Sequence, residues 1–269
     1  MSLPVAVLLG IVQGLTEFLP VSSSAHLILA RAFFGWEMPE AAGLAFDVDG
    51  HVGTLTAILA FFHREIAAMV VSLPTALSSE PDPQGRIVRL IVIGTLPVVV
   101  VGLLFSDVIE QHLREPAVAV GALTVGALLM LAAERTGRRE GTEASLGWAG
   151  AVLIGCAQAS ALIPGMSRSG TTIAVGMFLG MRRDAAARFT FLLAIPAMVA
   201  AAAKEGLALA QSEVPSVDLG MVAVGMVTSA IVGYLTIKYF LQFLGGNRLD
   251  VFAYYRLALA AVTLLWVLR

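Results

Sequence analysis

At residues 164–172 the sequence reads Pro-Gly-Met-Ser-Arg-Ser-Gly-Thr-Thr, in the middle of an otherwise apolar region, residues 147–180. A second apolar region, residues 1–34, is broken in a similar way by Pro20, which is followed by three serines. Unpaired backbone groups are costly in lipid, so such breaks are tolerated only inside protein or beside a water-filled cavity. We therefore predict that each region forms a re-entrant helical hairpin.

The rest of the chain has the composition of a membrane protein. Of its 269 residues, 58% are hydrophobic and 13% are charged, whereas a soluble domain has roughly 25% charged residues. Six apolar stretches are long enough to cross a bilayer: residues 44–62, 87–106, 117–134, 188–210, 217–240 and 251–269. The sequence thus predicts an all-α polytopic membrane protein, with about six full transmembrane helices plus two re-entrant helical hairpins in an inverted repeat.

The repeat is visible as a resemblance between the two broken regions. Each has a glutamine six or seven residues before a proline and a serine three residues after it: Gln13, Pro20 and Ser23, then Gln158, Pro164 and Ser167. We expect one membrane domain over residues 1–269, with repeat halves of roughly 1–134 and 147–269 joined by a linker at 135–146.

The basic residues predict how the chain is oriented. They cluster in four alternate loops, around residues 64–89, 135–139, 182–188 and 238–248, which the positive-inside rule assigns to the cytoplasmic side. If each hairpin returns to the side from which it entered, the first opens outward, the second opens inward, and their tips meet near the midplane. Half-helix N-termini would then converge on an anion.

Several classes of protein and processing are not expected. The net charge is -2 and no basic block is present, so nucleic-acid binding has little support. The single cysteine, Cys156, allows no intrachain disulfide and makes a cysteine-based metal site unexpected. A cleaved signal peptide is also not expected, because the first basic residue is Arg31 and Glu17 interrupts the apolar stretch.

Polar side chains in the broken regions are the candidates for chemistry. Glu17, four residues after Gln13 on the same helix face, is either part of a structural polar pair or a ligand for a divalent ion. Ser23 and His26 are three residues apart, which suits either a nucleophile with its base or a helix cap beside a structural histidine. Arg168 among hydroxyls at a helix start favours an oxyanion; the alternative is a side chain that snorkels to the interface.

Residues Gln13 to His26 and Pro164 to Thr172 resemble the two motifs of the bacterial undecaprenyl-diphosphate phosphatases of the bacitracin-resistance type. The resemblance also covers Phe46-Asp47-Val48 and His51-Val52-Gly53-Thr54. It implies an enzyme of the bacterial cytoplasmic membrane that removes the terminal phosphate from undecaprenyl diphosphate and recycles the lipid carrier for peptidoglycan synthesis. It further implies two inverted re-entrant repeats, a divalent cation, Mg2+ or Ca2+, and an active site open to the outer side.

The resemblance also carries over the site residues. Its motif positions fall on Gln13, Glu17, Ser23, His26, Ser167, Arg168, Ser169 and Thr172. We expect catalytic roles for Glu17, Ser23, His26 and Arg168, and substrate-binding roles for Gln13, Asp47, His51, Ser167, Ser169 and Thr172. The alternative for Asp47 and His51 is that they are interfacial residues at a helix start. Because the first position of the family's acidic pair is the amide Gln13 here, Glu17 is the expected metal ligand or base. The dipeptide Asp49-Gly50 departs from the apolar pattern that we expect before His51.

Two mechanisms and two functions stay open on the sequence. Ser23 attacks the terminal phosphorus while His26 or Glu17 takes its proton, or the metal or His26 activates a water molecule. The alternative function is a transporter or flippase for a polyprenyl phosphate or another anion, since inverted repeats with broken helices also occur in secondary transporters. The expected partners are the lipid substrate and membrane lipid but not nucleic acid, and a homodimer is left open.

Overall fold

The computed structural model describes residues 3–34, 40–113, 115–137, 140–211 and 219–268. Within these ranges the regular structure is helical, apart from an isolated β-bridge between Gly141 and Met181. The helices are α1 (Leu3–Thr16), α2 (Ser23–Phe34), α3 (Glu40–Phe61), α4 (His63–Val71), α5 (Leu73–Ala76), α6 (Pro83–His112), α7 (Pro116–Thr136), α8 (Trp148–Ser160), α9 (Arg168–Phe178), α10 (Arg183–Gln211), α11 (Leu219–Leu244) and α12 (Asp250–Val267).

The helices confirm the prediction of an all-helical polytopic membrane protein. In the part of the chain that the structure describes, five helices are long and apolar enough to span a bilayer, namely α6, α7, α10, α11 and α12. They correspond to five of the six predicted spans. The sixth, residues 44–62, falls on α3. Its part Gly50–Phe61 meets the same criterion together with α4, and the two are bent by 75° at their junction.

Both helix breaks are present, and each ends in a strained serine. Ser22 (φ 75°) and Ser167 (φ 65°) are the non-glycine residues with positive φ in the described ranges, a conformation that L-residues rarely adopt. Each directly precedes a helix, α2 or α9, and the two are 145 residues apart in the chain, as are Gln13 and Gln158. In the structure Ser167 therefore corresponds to Ser22 and not to Ser23, with which it shares the distance from a proline. The two comparisons differ by one residue because the proline lies one position earlier in the second break.

Helix packing is similar in the two parts of the chain. Helix α1 packs on α11 and α8 on α6, while α3 packs on α11 and α10 on α6. Helices α1 and α3 of the first half thus pack on α11 of the second half, and α8 and α10 of the second half pack on α6 of the first. That the two hairpins are re-entrant and inverted stays a prediction.

The four basic segments come together in space. Four contacts join them: Arg188 with Glu65 at 2.7 Å, Arg183 with Glu134 at 2.6 Å, Arg248 with Glu134 at 3.7 Å, and Arg86 with the carbonyl of Leu146 at 2.9 Å. Most of these residues lie on helices, within the basic segments or next to them. The contacts therefore bring the segments to one end of the bundle, as the sidedness argument requires. The assignment of this end to the cytoplasm stays a prediction.

Close approach of α1 and α11 depends on glycine. A Cβ atom at Gly14 would lie 2.8 Å from the carbonyl oxygen of Ser229 and 2.9 Å from the amide nitrogen of Gly233. These neighbours are backbone atoms, which cannot rotate away as the end of a side chain can. Small residues that allow such backbone contact are a common means of packing helices in membranes.

We therefore expect Gly14→Ala to destabilise the protein by about 1–3 kcal/mol, as overpacking does. Gly121→Ala is the matched control, since a Cβ at this position of α7 would meet nothing within 4 Å; its higher helix propensity should leave stability unchanged or raise it by up to about 1 kcal/mol. Thermal unfolding in detergent measures both. Equal melting temperatures for the two variants would contradict the packing argument.

Candidate active site

A cavity of about 200 Å³ lies where the two helix breaks meet. Its polar wall consists of Thr16, Glu17, Ser22, Ser23, Ser24, His51, Gln158, Ser167 and Arg168. Its apolar wall consists of Val98, Ala161, Leu162, Ala197, Met198 and Ala201. The structure thus brings the centres of both sequence motifs to one place, although they are about 145 residues apart in the chain.

Glu17 is the centre of the polar wall. Its residue is 8% exposed, and its carboxylate accepts hydrogen bonds from the Gln13 amide (3.2 Å), the Ser23 hydroxyl (2.8 Å) and the Arg168 guanidinium. The bond with Arg168 is also an ion pair between the two breaks. A buried carboxylate without such partners would be very costly, so Glu17 and Arg168 stabilise each other's burial.

Ser23 has the geometry of an activated nucleophile. Its hydroxyl donates to the carboxylate of Glu17 over 2.8 Å, within the range expected for a nucleophile and its base. The helix cap is supplied by the preceding residue, Ser22, whose hydroxyl accepts from the amide of Ala25 at 3.4 Å. Ser23 is therefore not needed as the cap, and its hydroxyl faces the cavity.

His26 is directed away from Ser23. Its Nδ1 bonds the carbonyl of Ser22 at 2.7 Å, and its Nε2 bonds the hydroxyl of Tyr255 at 2.7 Å, with the two rings stacked. Since the carbonyl only accepts, Nδ1 carries the proton and the Nε2 of the neutral ring accepts from Tyr255. Both nitrogens are thus engaged outside the cavity. The structure places Glu17, and not His26, beside the hydroxyl of Ser23.

The hydroxyls of the second motif are divided between the cavity and the backbone. Ser167 lines the cavity and caps α9, accepting from the amide of Gly170 at 3.2 Å. Ser169 donates to the carbonyl of Leu19 (3.0 Å), and Thr172 donates to the carbonyl of Arg168 (2.5 Å). The structure therefore does not bring Ser169 and Thr172 to the cavity, because both hydroxyls bond backbone carbonyls, as serine and threonine commonly do in helices.

The remaining expected residues lie on α1 and α3. Gln13 does not line the cavity, but its amide donates a hydrogen bond to the carboxylate of Glu17. His51 lines the cavity directly. Gly50 makes room for this glutamine, since a Cβ there would lie 2.9 Å from the Cγ of Gln13; this explains a glycine where the motif comparison expected an apolar residue. The side chain of Asp47 lies outside the described residues.

Arg256 is a buried cation that the sequence analysis did not identify. Its residue is 0% exposed, and its guanidinium donates to carbonyl oxygens of both breaks and of α7: Pro20 (3.4 Å), Gly165 (2.9 Å), Met166 (3.0 Å), Ala122 (3.2 Å) and Leu123 (3.2 Å). Pro20 and Gly165 are equivalent positions by the 145-residue spacing. The signal available in the sequence was an arginine in the interior of the apolar stretch 251–269.

The residues around Glu17 provide oxygen donors for a hard cation. Besides the carboxylate, the Oε1 atom of Gln13 is buried and has no hydrogen-bond partner among the described residues. Carboxylate and amide oxygens are ligands that Mg2+ and Ca2+ prefer. The described residues contain no group of three or more acidic, histidine or cysteine side chains that could hold a metal, so further oxygens would have to come from a ligand or water.

Taken together, the fold and the cavity define an integral membrane protein with the groups of a hydrolase active site: a serine, a carboxylate and a guanidinium. Residues 6–262 match the family model described as bacitracin resistance protein BacA, and the chain belongs to this family.

Similar curated proteins extend over nearly the whole chain. Proteins named undecaprenyl-diphosphatase are 46% identical in Rubrobacter xylanophilus (96% of this chain, 95% of the relative), 45% identical in Alcanivorax borkumensis (97% and 98%), and 43% identical in Marinobacter nauticus (96% and 96%).

Removing Arg256 should loosen the junction of the two breaks. We expect Arg256→Met to lower stability by about 2–4 kcal/mol, because it leaves several buried carbonyls unpaired at roughly 1–3 kcal/mol each. Thermal unfolding in detergent should show a decrease of about 2–4 °C per kcal/mol. Arg182→Met is the control, since it removes an arginine whose side chain is 52% exposed and should change stability by less than about 0.5 kcal/mol. Equal effects of both substitutions would refute the role of Arg256.

Proposed function

We propose that this chain hydrolyses undecaprenyl diphosphate to undecaprenyl phosphate and inorganic phosphate, and so recycles the lipid carrier for peptidoglycan synthesis. The observation that carries the proposal is the hydrogen-bonded chain from the Ser23 hydroxyl through Glu17 to Arg168 in one cavity. The names of the relatives, which match over nearly their full length, support the same reaction.

The proposed mechanism is an in-line transfer of the terminal phosphoryl group. The Ser23 oxygen attacks the terminal phosphorus, its proton passes to the Glu17 carboxylate, and the bond to the bridging oxygen breaks, releasing undecaprenyl phosphate. Arg168 holds the equatorial oxygens of the transferring group, because a guanidinium matches phosphate oxygens and neutralises their charge. The proton on Glu17 passes to the leaving undecaprenyl phosphate, which makes the carboxylate a base again. Glu17 then takes a proton from the water that attacks the phosphoserine, the bond between phosphorus and the Ser23 oxygen breaks, that oxygen takes up the proton, and inorganic phosphate leaves. The competing version omits the covalent step, and water attacks directly.

A divalent cation, Mg2+ or Ca2+, is part of the proposal. The carboxylate of Glu17 would hold it, and the diphosphate would complete its oxygen ligands. When bound, such an ion would shield the charge of the diphosphate.

The shape and lining of the cavity suit a lipid headgroup. The cavity of about 200 Å³ is smaller than the roughly 300–1,000 Å³ of typical ligand pockets, so it would hold the headgroup and leave the long prenyl chain outside. The apolar wall from α6 and α10, with Val98 and Met198, would face the first isoprene units. The remaining chain would stay in the bilayer, since each CH2 that leaves lipid costs about 0.8 kcal/mol.

The proposed location is the bacterial cytoplasmic membrane, with the active site open to the outer side. The gathering of the basic segments at one end of the bundle supports assigning that end to the cytoplasm through the positive-inside rule. The outward opening of the site follows from the family resemblance. The broken helices would also suit a transporter, but transport needs no hydroxyl bonded to a carboxylate, so the contact between Ser23 and Glu17 favours the enzyme.

Purified protein in detergent should release inorganic phosphate from undecaprenyl diphosphate without any gradient, and EDTA should abolish the release. In the same assay Arg168→Ala should lower kcat by about 10²- to 10³-fold, as loss of one oxyanion donor does. Phosphate measured by colorimetry with and without added Mg2+ or Ca2+ gives both results. No release from folded protein under either ion would favour the transporter. A change below about threefold for Arg168→Ala would exclude the role of Arg168 in holding the transferring phosphoryl group.

The variant Ser23→Ala separates the two mechanisms. If Ser23 is the nucleophile, kcat should decrease by at least about 10³-fold, whereas Ser24→Ala, the neighbouring cavity serine, should retain most of the activity because its hydroxyl is not bonded to Glu17. Single-turnover kinetics with wild-type protein should also show labelled phosphoserine at Ser23. Near-full turnover by Ser23→Ala would leave direct attack by water as the mechanism.

A further inference from the structure

Gln158 is a buried amide to which neither the sequence motifs nor the proposed mechanism assign a role. It lies on α8 and is 2% exposed, and it lines the cavity together with Glu17 and Arg168. Neither its Nε2 nor its Oε1 has a hydrogen-bond partner among the residues that the structure describes. A buried side-chain amide without partners is unfavourable, so an amide at a cavity wall with both ends unpaired indicates a ligand.

A hydrogen bond between α9 and α8 fixes the position of Gln158 relative to Arg168. The Thr171 hydroxyl donates to the carbonyl of Ala157 at 3.2 Å, which ties the first turn of α9 to α8 at the residue before Gln158. The equivalent glutamine in the first break, Gln13, bonds Glu17 instead. Leu162 takes the place of Glu17 in the second break by the 145-residue spacing, so Gln158 has no carboxylate to bond.

We propose that Gln158 is a substrate-binding residue whose Nε2 donates a hydrogen bond to a phosphate oxygen of the diphosphate. This inference rests on the proposed function. A neutral donor suits the position because it binds a phosphate oxygen without adding a second buried charge beside Arg168. Gln158 completes a cradle in which α8 supplies an amide, α9 a guanidinium and α2 a hydroxyl.

The test uses Gln158→Leu, which removes both polar ends but keeps a similar volume. In the ligand-free protein the melting temperature should stay equal or increase, since an unpaired buried amide is lost. The KM for undecaprenyl diphosphate should increase at least about tenfold, in line with a hydrogen bond to a charged group, while kcat changes less. Inorganic pyrophosphate should raise the melting temperature of the wild type but not of the variant.

Thr190→Val is the matched control. Thr190 is also 2% exposed with an unpartnered hydroxyl among the described residues, but it does not line the cavity. This variant should keep the KM and the pyrophosphate effect of the wild type.

An unchanged KM and pyrophosphate effect in Gln158→Leu, or a decrease in ligand-free stability that explains the loss of activity, would overturn the proposal. If wild-type protein releases no phosphate yet pyrophosphate stabilises it in a Gln158-dependent manner, the proposed reaction fails and the phosphate site stands.

Discussion

The guanidinium of Arg256 satisfies carbonyl oxygens from both helix breaks, and the rest of the site depends on this contact. In hydrocarbon an unpaired peptide carbonyl costs several kcal/mol, so a helix can be interrupted at membrane depth only where other groups supply donors. Arg256 does so for Pro20, Gly165 and Met166 at once. Because Pro20 and Gly165 are equivalent positions, one side chain joins the two breaks at matching points.

The joined breaks determine where the reactive groups lie. In each break a serine with positive φ, Ser22 or Ser167, directs the chain into the next helix, so the first residue of that helix faces the cavity. These first residues are Ser23 and Arg168. Backbone strain of this kind persists only where surrounding contacts over-determine it and is often found at functional sites; here the caps of α2 and α9 and the bonds of Arg256 provide those contacts.

The sequence predicted the elements of the site better than their contacts. Hydropathy predicts the spans and the two breaks. Polar residues at positions where lipid would exclude them point to Glu17, Ser23 and Arg168 as candidate site residues. The direction of His26 toward Tyr255, 229 residues away, and the role of Arg256 do not follow, because spacing within one motif contains no information on distant helices. The same holds for Ser169 and Thr172, whose hydroxyls bond backbone rather than the cavity.

The two breaks have a similar backbone but different charges, and this difference suits the cavity to catalysis. Glu17 in the first break corresponds to Leu162 in the second, and Ser23 corresponds to Arg168. The acid and the proposed nucleophile therefore come from one break and the cation from the other, and the charges of Glu17 and Arg168 compensate each other across the junction. A diphosphate offers Arg168 another anion, which leaves the Glu17 carboxylate without its counter-charge. In the reaction that we propose, the proton of Ser23 or a divalent cation replaces that counter-charge, so substrate binding would itself prepare the carboxylate for its part.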